Sequence, residues 1–234
     1  MLKNKDKNTL YCFSPPVMIA TFVVEIILAI FVFLRYKSST TKNIIVALLV
    51  LLGIFQFVEF FVCGSYFGQW SSIASRVGYV AITFLPPLSI HLANEIGARK
   101  KHWTTYASYI LAVGFTLFFI FVPNAINDSI CTGNYVIFNM VGINIFAYGL
   151  YYFGLLLAIL IISASLAAKQ KNKKIRNALH WLIVGTLAFI LPTAIIYFLA
   201  PQTGSAIPSV MCGFAIIYAI ILAVKIAPVS IRAK

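Results

Sequence analysis

The chain has 234 residues, 62% of them hydrophobic and only 10% charged, with a mean hydropathy of +0.97. Soluble domains carry about 25% charged residues, so an ordinary water-soluble globule is excluded and a polytopic membrane protein is expected. The formal net charge of +13 does not point to nucleic acid, because the cations sit in short connections between apolar runs.

A spanning segment must satisfy its own backbone hydrogen bonds, which leaves helices or a closed barrel. Barrel strands would be about 10 residues of alternating polarity. The runs here are long and continuous, so the predicted fold is an all-α, seven-transmembrane-helix bundle forming one domain over 1–234. The spans are read at 16–34, 43–63, 70–97 and 103–122, then at a fifth ending near 168 and starting between 137 and 146. The last two are 175–199 and 206–226. The basic start of the chain leads into a run too long for a signal peptide, with no convincing cleavage site, so it is read as a retained first helix.

The connections alternate in charge. Arg35, Lys37 and Lys42 follow the first span, and Arg99, Lys100 and Lys101 the third. Lys169, Lys171, Lys173, Lys174 and Arg176 follow the fifth, and Arg232 and Lys234 the seventh, while the other three connections hold no lysine or arginine. The positive-inside rule then predicts an outer N-terminus and a cytoplasmic C-terminus, against the mild opposition of Lys3, Lys5 and Lys7. This makes 1–15 an outer segment, 123–143 a long outer loop and 227–234 a cytoplasmic tail. The stretch 135–168 is uncharged, and as one helix its roughly 34 residues would extend about 51 Å, beyond a core of about 30 Å. Residues 135–140 are therefore read as an extended or re-entrant piece over the outer mouth, or else as part of a simple long loop before a tilted helix.

Three of the five acidic residues, Glu25, Glu59 and Glu95, fall inside apolar runs. Ionisable groups there are costly and face the bundle interior, a partner or water. Glu25, near the midplane of the first span, is either a proton carrier or ligand anchor, or a structural carboxyl. Glu59 and Arg76 flank the turn between the second and third spans at matching depth, which predicts either a salt bridge or a site for a ligand such as a carboxylate. His91 and Glu95 share a helix face, but His102 and His180 belong to the cytoplasmic edge and no metal set is completed, so no metal or cofactor is expected. Glu95 also stands four residues before Arg99, as an interfacial pair would. Pro86 and Pro87 should kink the third span, and Pro192 the sixth, making these three candidate hinges. Cys12, Cys63 and Cys131 fall on the predicted outer side, and Cys63–Cys131 is the candidate disulfide, although four cysteines allow several pairings. Asn127, Asp128 and Ser129 fit the glycosylation pattern. No complete catalytic set is present, so an enzyme is not expected.

With these residues in place, the chain resembles the seven-helix N-terminal sensor region of bacterial membrane histidine kinases. The likeness lies in Arg76, Tyr79, Pro86 and Glu95 along the third span, and in the closing stretch IPSVMCGFAIIYAIILAVKI. The resemblance implies a receptor module that signals to cytoplasmic output domains, with Tyr79 joining Glu25, Glu59 and Arg76 as candidate ligand-binding residues. The chain departs from that family by ending at Lys234 without a kinase domain. It is therefore read as a sensor fragment or as a stand-alone relative.

The expected function is a sensory or receptor-like protein of the cell membrane, the inner membrane in a Gram-negative cell. It would bind a small ligand or lipid from outside and act on a cytoplasmic signalling protein through its basic loops. A small proton-coupled transporter or channel using Glu25 is the alternative, and a scaffold holding a soluble partner the third reading. The bilayer is the expected partner throughout, and nucleic acid is not.

Overall fold

The computed structural model describes residues 14–64, 71–98, 103–123, 125–131, 136–140, 143–199 and 206–231. Lys3, Lys5, Lys7, Cys12, Arg99, Lys100, Lys101, His102, Arg232 and Lys234 lie outside the described residues, as do the side chains of Asn127 and Asp128.

The helices are α1 (Pro15–Arg35), α2 (Thr40–Gly64), α3 (Ser71–Thr83), α4 (Leu85–Ile96) and α5 (Trp103–Phe121), followed by strands β1 (Ile126–Cys131) and β2 (Val136–Met140). Then come α6 (Ile143–Lys169), α7 (Lys173–Leu199) and α8 (Ile207–Ile221), which runs through a π-helical turn (Leu222–Ile226) into α9 (Ala227–Ser230). Counting α3–α4 and α8–α9 as one each, seven helices are long and apolar enough to cross a membrane. That is the bundle of a multi-pass membrane protein.

Local chemistry sets the ends of these helices. Ser39 accepts the Lys42 amide at 3.2 Å at the start of α2, and Asn172 accepts the Lys174 amide at 2.9 Å at the start of α7. Arg35 and Lys169 stand in the last turns of α1 and α6, where a cation complements the helix dipole. Among the described residues, Ala98, after α4, is the one non-glycine with a positive φ, at 54°.

Neighbouring spans run in opposite directions. The C-terminal ends of α1, α4, α6 and α9 gather at one end, where Gln170 Nε2 donates to the Gly97 carbonyl at 3.4 Å, Lys42 Nζ lies over the Phe33 ring and Lys225 Nζ over the Trp181 ring. At the other end the hairpin β1–β2 pairs Ser129 with Phe138 and Cys131 with Val136 in antiparallel register. The sequence reading anticipated an extended piece at 135–140, but not that it would pair with 126–131. The bundle thus has a basic end and a hairpin end.

α2 is the central helix, packing against α1, α3, α4 and α8. Ile45, Leu48, Leu49, Leu52 and Phe55 are fully buried along it, at helical spacing. Lipid gives no hydrophobic drive for helices to associate, so close fit holds the spans together. At Gly185 of α7 an added Cβ would come within 2.7 Å of the Tyr218 ring, so that helix contact requires glycine.

The third span is broken at Phe84. Pro86 and Pro87 occupy the first turn of α4 and withhold the amides that would have reached Ile82 and Thr83. The orphaned Thr83 carbonyl accepts the Tyr151 hydroxyl of α6 at 2.7 Å. The Ser89 hydroxyl bonds the Leu85 carbonyl at 2.9 Å and the Tyr218 hydroxyl of α8 at 2.9 Å. Other spans therefore hold the break in place. Pro192 behaves differently: α7 continues through it without interruption.

Candidate functional site

The buried stripe of α1 is Met18, Thr21, Glu25, Ala29 and Val32, one residue per turn on a single face. Glu25 sits in the middle of it, 0% exposed, and neither carboxyl oxygen has a hydrogen-bond partner. On α2, Gln56 and Glu59 are one turn apart and face inward, 2% and 1% exposed. Gln56 Nε2 and Glu59 Oε1 are likewise without partners.

These groups form one cluster. Glu25 and Glu59 are close enough for their charges to interact, and Cys212 of α8 feels the charge of both. Ser209, three residues before Cys212 and so on the same face of α8, places its hydroxyl against Glu59. That hydroxyl also accepts the Val136 amide of β2 at 3.2 Å. A polar path thus runs from the hairpin through α8 to α2.

Tyr79 closes the cluster from α3. It is buried, with its ring 5.0 Å from Phe119, 5.3 Å from Phe138 and 5.5 Å from Tyr148. Phe138 belongs to β2 and also rests 5.9 Å from Phe55 of α2, so the hairpin plugs its end of the bundle with an aromatic ring. A disulfide from Cys63 of α2 to Cys131 of β1 ties the plug down, with Cα atoms 5.0 Å apart. Beside the break in the third span, a cavity of 20 Å³ is lined by Pro86, Ser89, Tyr152, Cys212 and Tyr218. That is room for about one water molecule.

Arg76 is not in this cluster. Its Nη1 donates to the carbonyls of Phe119 and Ile120 at 3.1 and 3.2 Å, at the last turn of α5. The expected salt bridge to Glu59 does not form, and helix geometry supplies the reason. Glu59 is buried and points inward, whereas Arg76 shares its face with the exposed Ile73 and Val77.

His91 Nδ1 lies 3.2 Å from the Tyr109 hydroxyl of α5, with the two rings edge to face. Glu95 is exposed, and its expected partner Arg99 is outside the described residues. No group of three metal-ligating side chains occurs among the described residues. The structure therefore joins Glu25, Glu59 and Tyr79 and separates Arg76 and His91 from them. Gln56, Ser209 and Cys212 went unread as site residues, although Gln56 and Glu59 carry the one-turn spacing of a shared face.

Two buried carboxyls with no cation opposite them among the described residues can take up and release a proton as a coupled pair. They can also hold a small cationic group. Comparison with protein-family models and with curated proteins yields no match.

Proposed function

We propose that the chain is a receptor-like or sensory multi-pass protein of the cell membrane, with its hairpin end outside and its basic end in the cytoplasm. A small ligand or lipid arriving from the hairpin side would be read by the carboxyl pair Glu25 and Glu59. Displacement of the plug, or of the broken third span beneath it, would carry the signal to the basic end. A cytoplasmic partner or an output domain of the sensor-kinase type would receive it there, as the resemblance in Arg76, Tyr79, Pro86 and Glu95 implies.

One observation carries this reading. Two interacting buried carboxyls stand without a basic partner among the described residues, directly under a tethered hairpin. Intramembrane ionisable groups of this kind mark ligand, ion or proton sites by default. The test heats purified protein in nanodiscs against a panel of small amines, amino acids and single lipids. A compound that raises the melting temperature of the wild type but not of E25Q/E59Q supports the reading. Equal shifts in both proteins would sink it.

A small proton-coupled transporter is the second reading, favoured by the same pair. Reconstituted protein would then drive flux under a pH gradient, and flux that survives Glu25→Gln removes that reading.

A further inference from the structure

Between α3 and α5, on the face of the bundle away from the carboxyl pair, lies an open groove of 590 Å³. Its walls are Ile73, Val77, Val80 and Ile120, and its polar group is Arg76. The volume lies within the range of about 300–1,000 Å³ found for small-molecule sites. Ile73 and Val77 are 52% and 48% exposed and Ile120 is 50% exposed, so the walls face the surroundings of the bundle. For a chain of seven membrane-length helices, those surroundings are lipid.

Arg76 follows the first residue of α3 by five positions, which sets it about 8 Å below the start of the helix. With the start of α3 taken as the membrane surface, that is the depth of the boundary between headgroups and acyl chains. Val77 and Val80 continue inward from it along one side of the helix. The carbonyls of Phe119 and Ile120 engage Nη1 alone. A guanidinium has five N–H donors in a planar fork that matches the oxygens of a phosphate. Among the described side chains, no carboxylate accepts from it.

We infer that this groove seats an anionic phospholipid from the leaflet at the hairpin end, its phosphate on Arg76 and an acyl chain along Val77 and Val80. Charge complementarity selects the headgroup, and the apolar walls select a lipid over a free anion, which would lose hydration there without return. Arg76 is then a bridge, fixing the end of α5 through two carbonyls and the lipid through its remaining donors. The inference is independent of the carboxyl pair and stands or falls apart from it.

The test is native mass spectrometry of protein from nanodiscs holding equal amounts of phosphatidylglycerol and phosphatidylcholine. The wild type should retain phosphatidylglycerol about five-fold over phosphatidylcholine. R76Q should lose that preference. V77W, which fills the groove from an exposed wall and leaves Arg76 in place, should lose the bound lipid itself. Excess inorganic phosphate should not displace the lipid. Retention by R76Q at the wild-type level would overturn the inference and move the lipid to the cations of the basic end. Displacement by phosphate would overturn it in favour of a free-anion site. Should R76Q fail to fold, V77W decides alone, and unchanged retention there overturns it equally.

Discussion

Tyr151 supplies from a neighbouring span the hydrogen bond that Pro87 cannot make along its own. Without the hydroxyl, the Thr83 carbonyl would be left unsatisfied at the centre of the bundle. Y151F should therefore destabilise the protein by about 1 kcal/mol. Y197F, whose ring is 42% exposed, should stay within about 0.5 kcal/mol of the wild type. Unfolding in mixed micelles measures both, and equal stability of the two variants would mean that the Thr83 carbonyl is served in another way. The same rule makes Glu25, Gln56 and Glu59 conspicuous. Half-satisfied polar clusters weaken a core, so one that persists beneath a tethered plug is better explained by use than by packing.

At the scale of elements, two joints are open to direct test. Ala98 ends the third span in the left-handed region, where its Cβ is unwelcome, and its amide bonds the Glu95 carbonyl at 3.1 Å. A98G should stabilise the protein by about 1 kcal/mol in the same micelle assay, and loss of stability would show that the turn does not hold this geometry in solution. The hairpin is the second joint. Cys131→Ser removes its covalent tie to α2 but leaves Phe138 on its aromatic seat and Val136 on Ser209. Amide exchange over Val136–Met140 should rise by about ten-fold while the helices keep their protection. A uniform rise across the spans would mean that the disulfide holds the bundle and not the plug.

The elements also show what a sequence can and cannot disclose. The spans were legible because about 20 apolar residues between basic connections admit few other readings. The hairpin was not, since 126–140 has no clean alternation and its strands depend on Phe55, Ser209 and Cys63 from elsewhere. Arg76 illustrates a subtler limit. Counting from the turn assigned it the depth of Glu59, but depth says nothing about which face a side chain takes. Ser209 and Cys212 look like small packing residues until α8 brings Ser209 against Glu59 and Cys212 into the field of both carboxyls. The break at Pro86 and Pro87 was expected, but the hydroxyls that secure it come from Tyr151 and Tyr218, distant in the chain.

Across the whole molecule, the basic end and the hairpin end are joined by α2 and by the broken third span. α2 carries Glu59 below the plug and receives Cys63–Cys131 at its last turn. The third span carries Tyr79 above the break and His91 below it, and its lower half ends among the basic connections. A change at the carboxyl pair would thus have two helical routes to the opposite end, as the proposed sensory role requires. Native mass spectrometry of gently extracted protein, wild type beside E25Q/E59Q, tests that claim most directly. The account predicts a small molecule or lipid of defined mass that stays with the wild type and is missing from the folded double variant. The same bound masses on both proteins would contradict it.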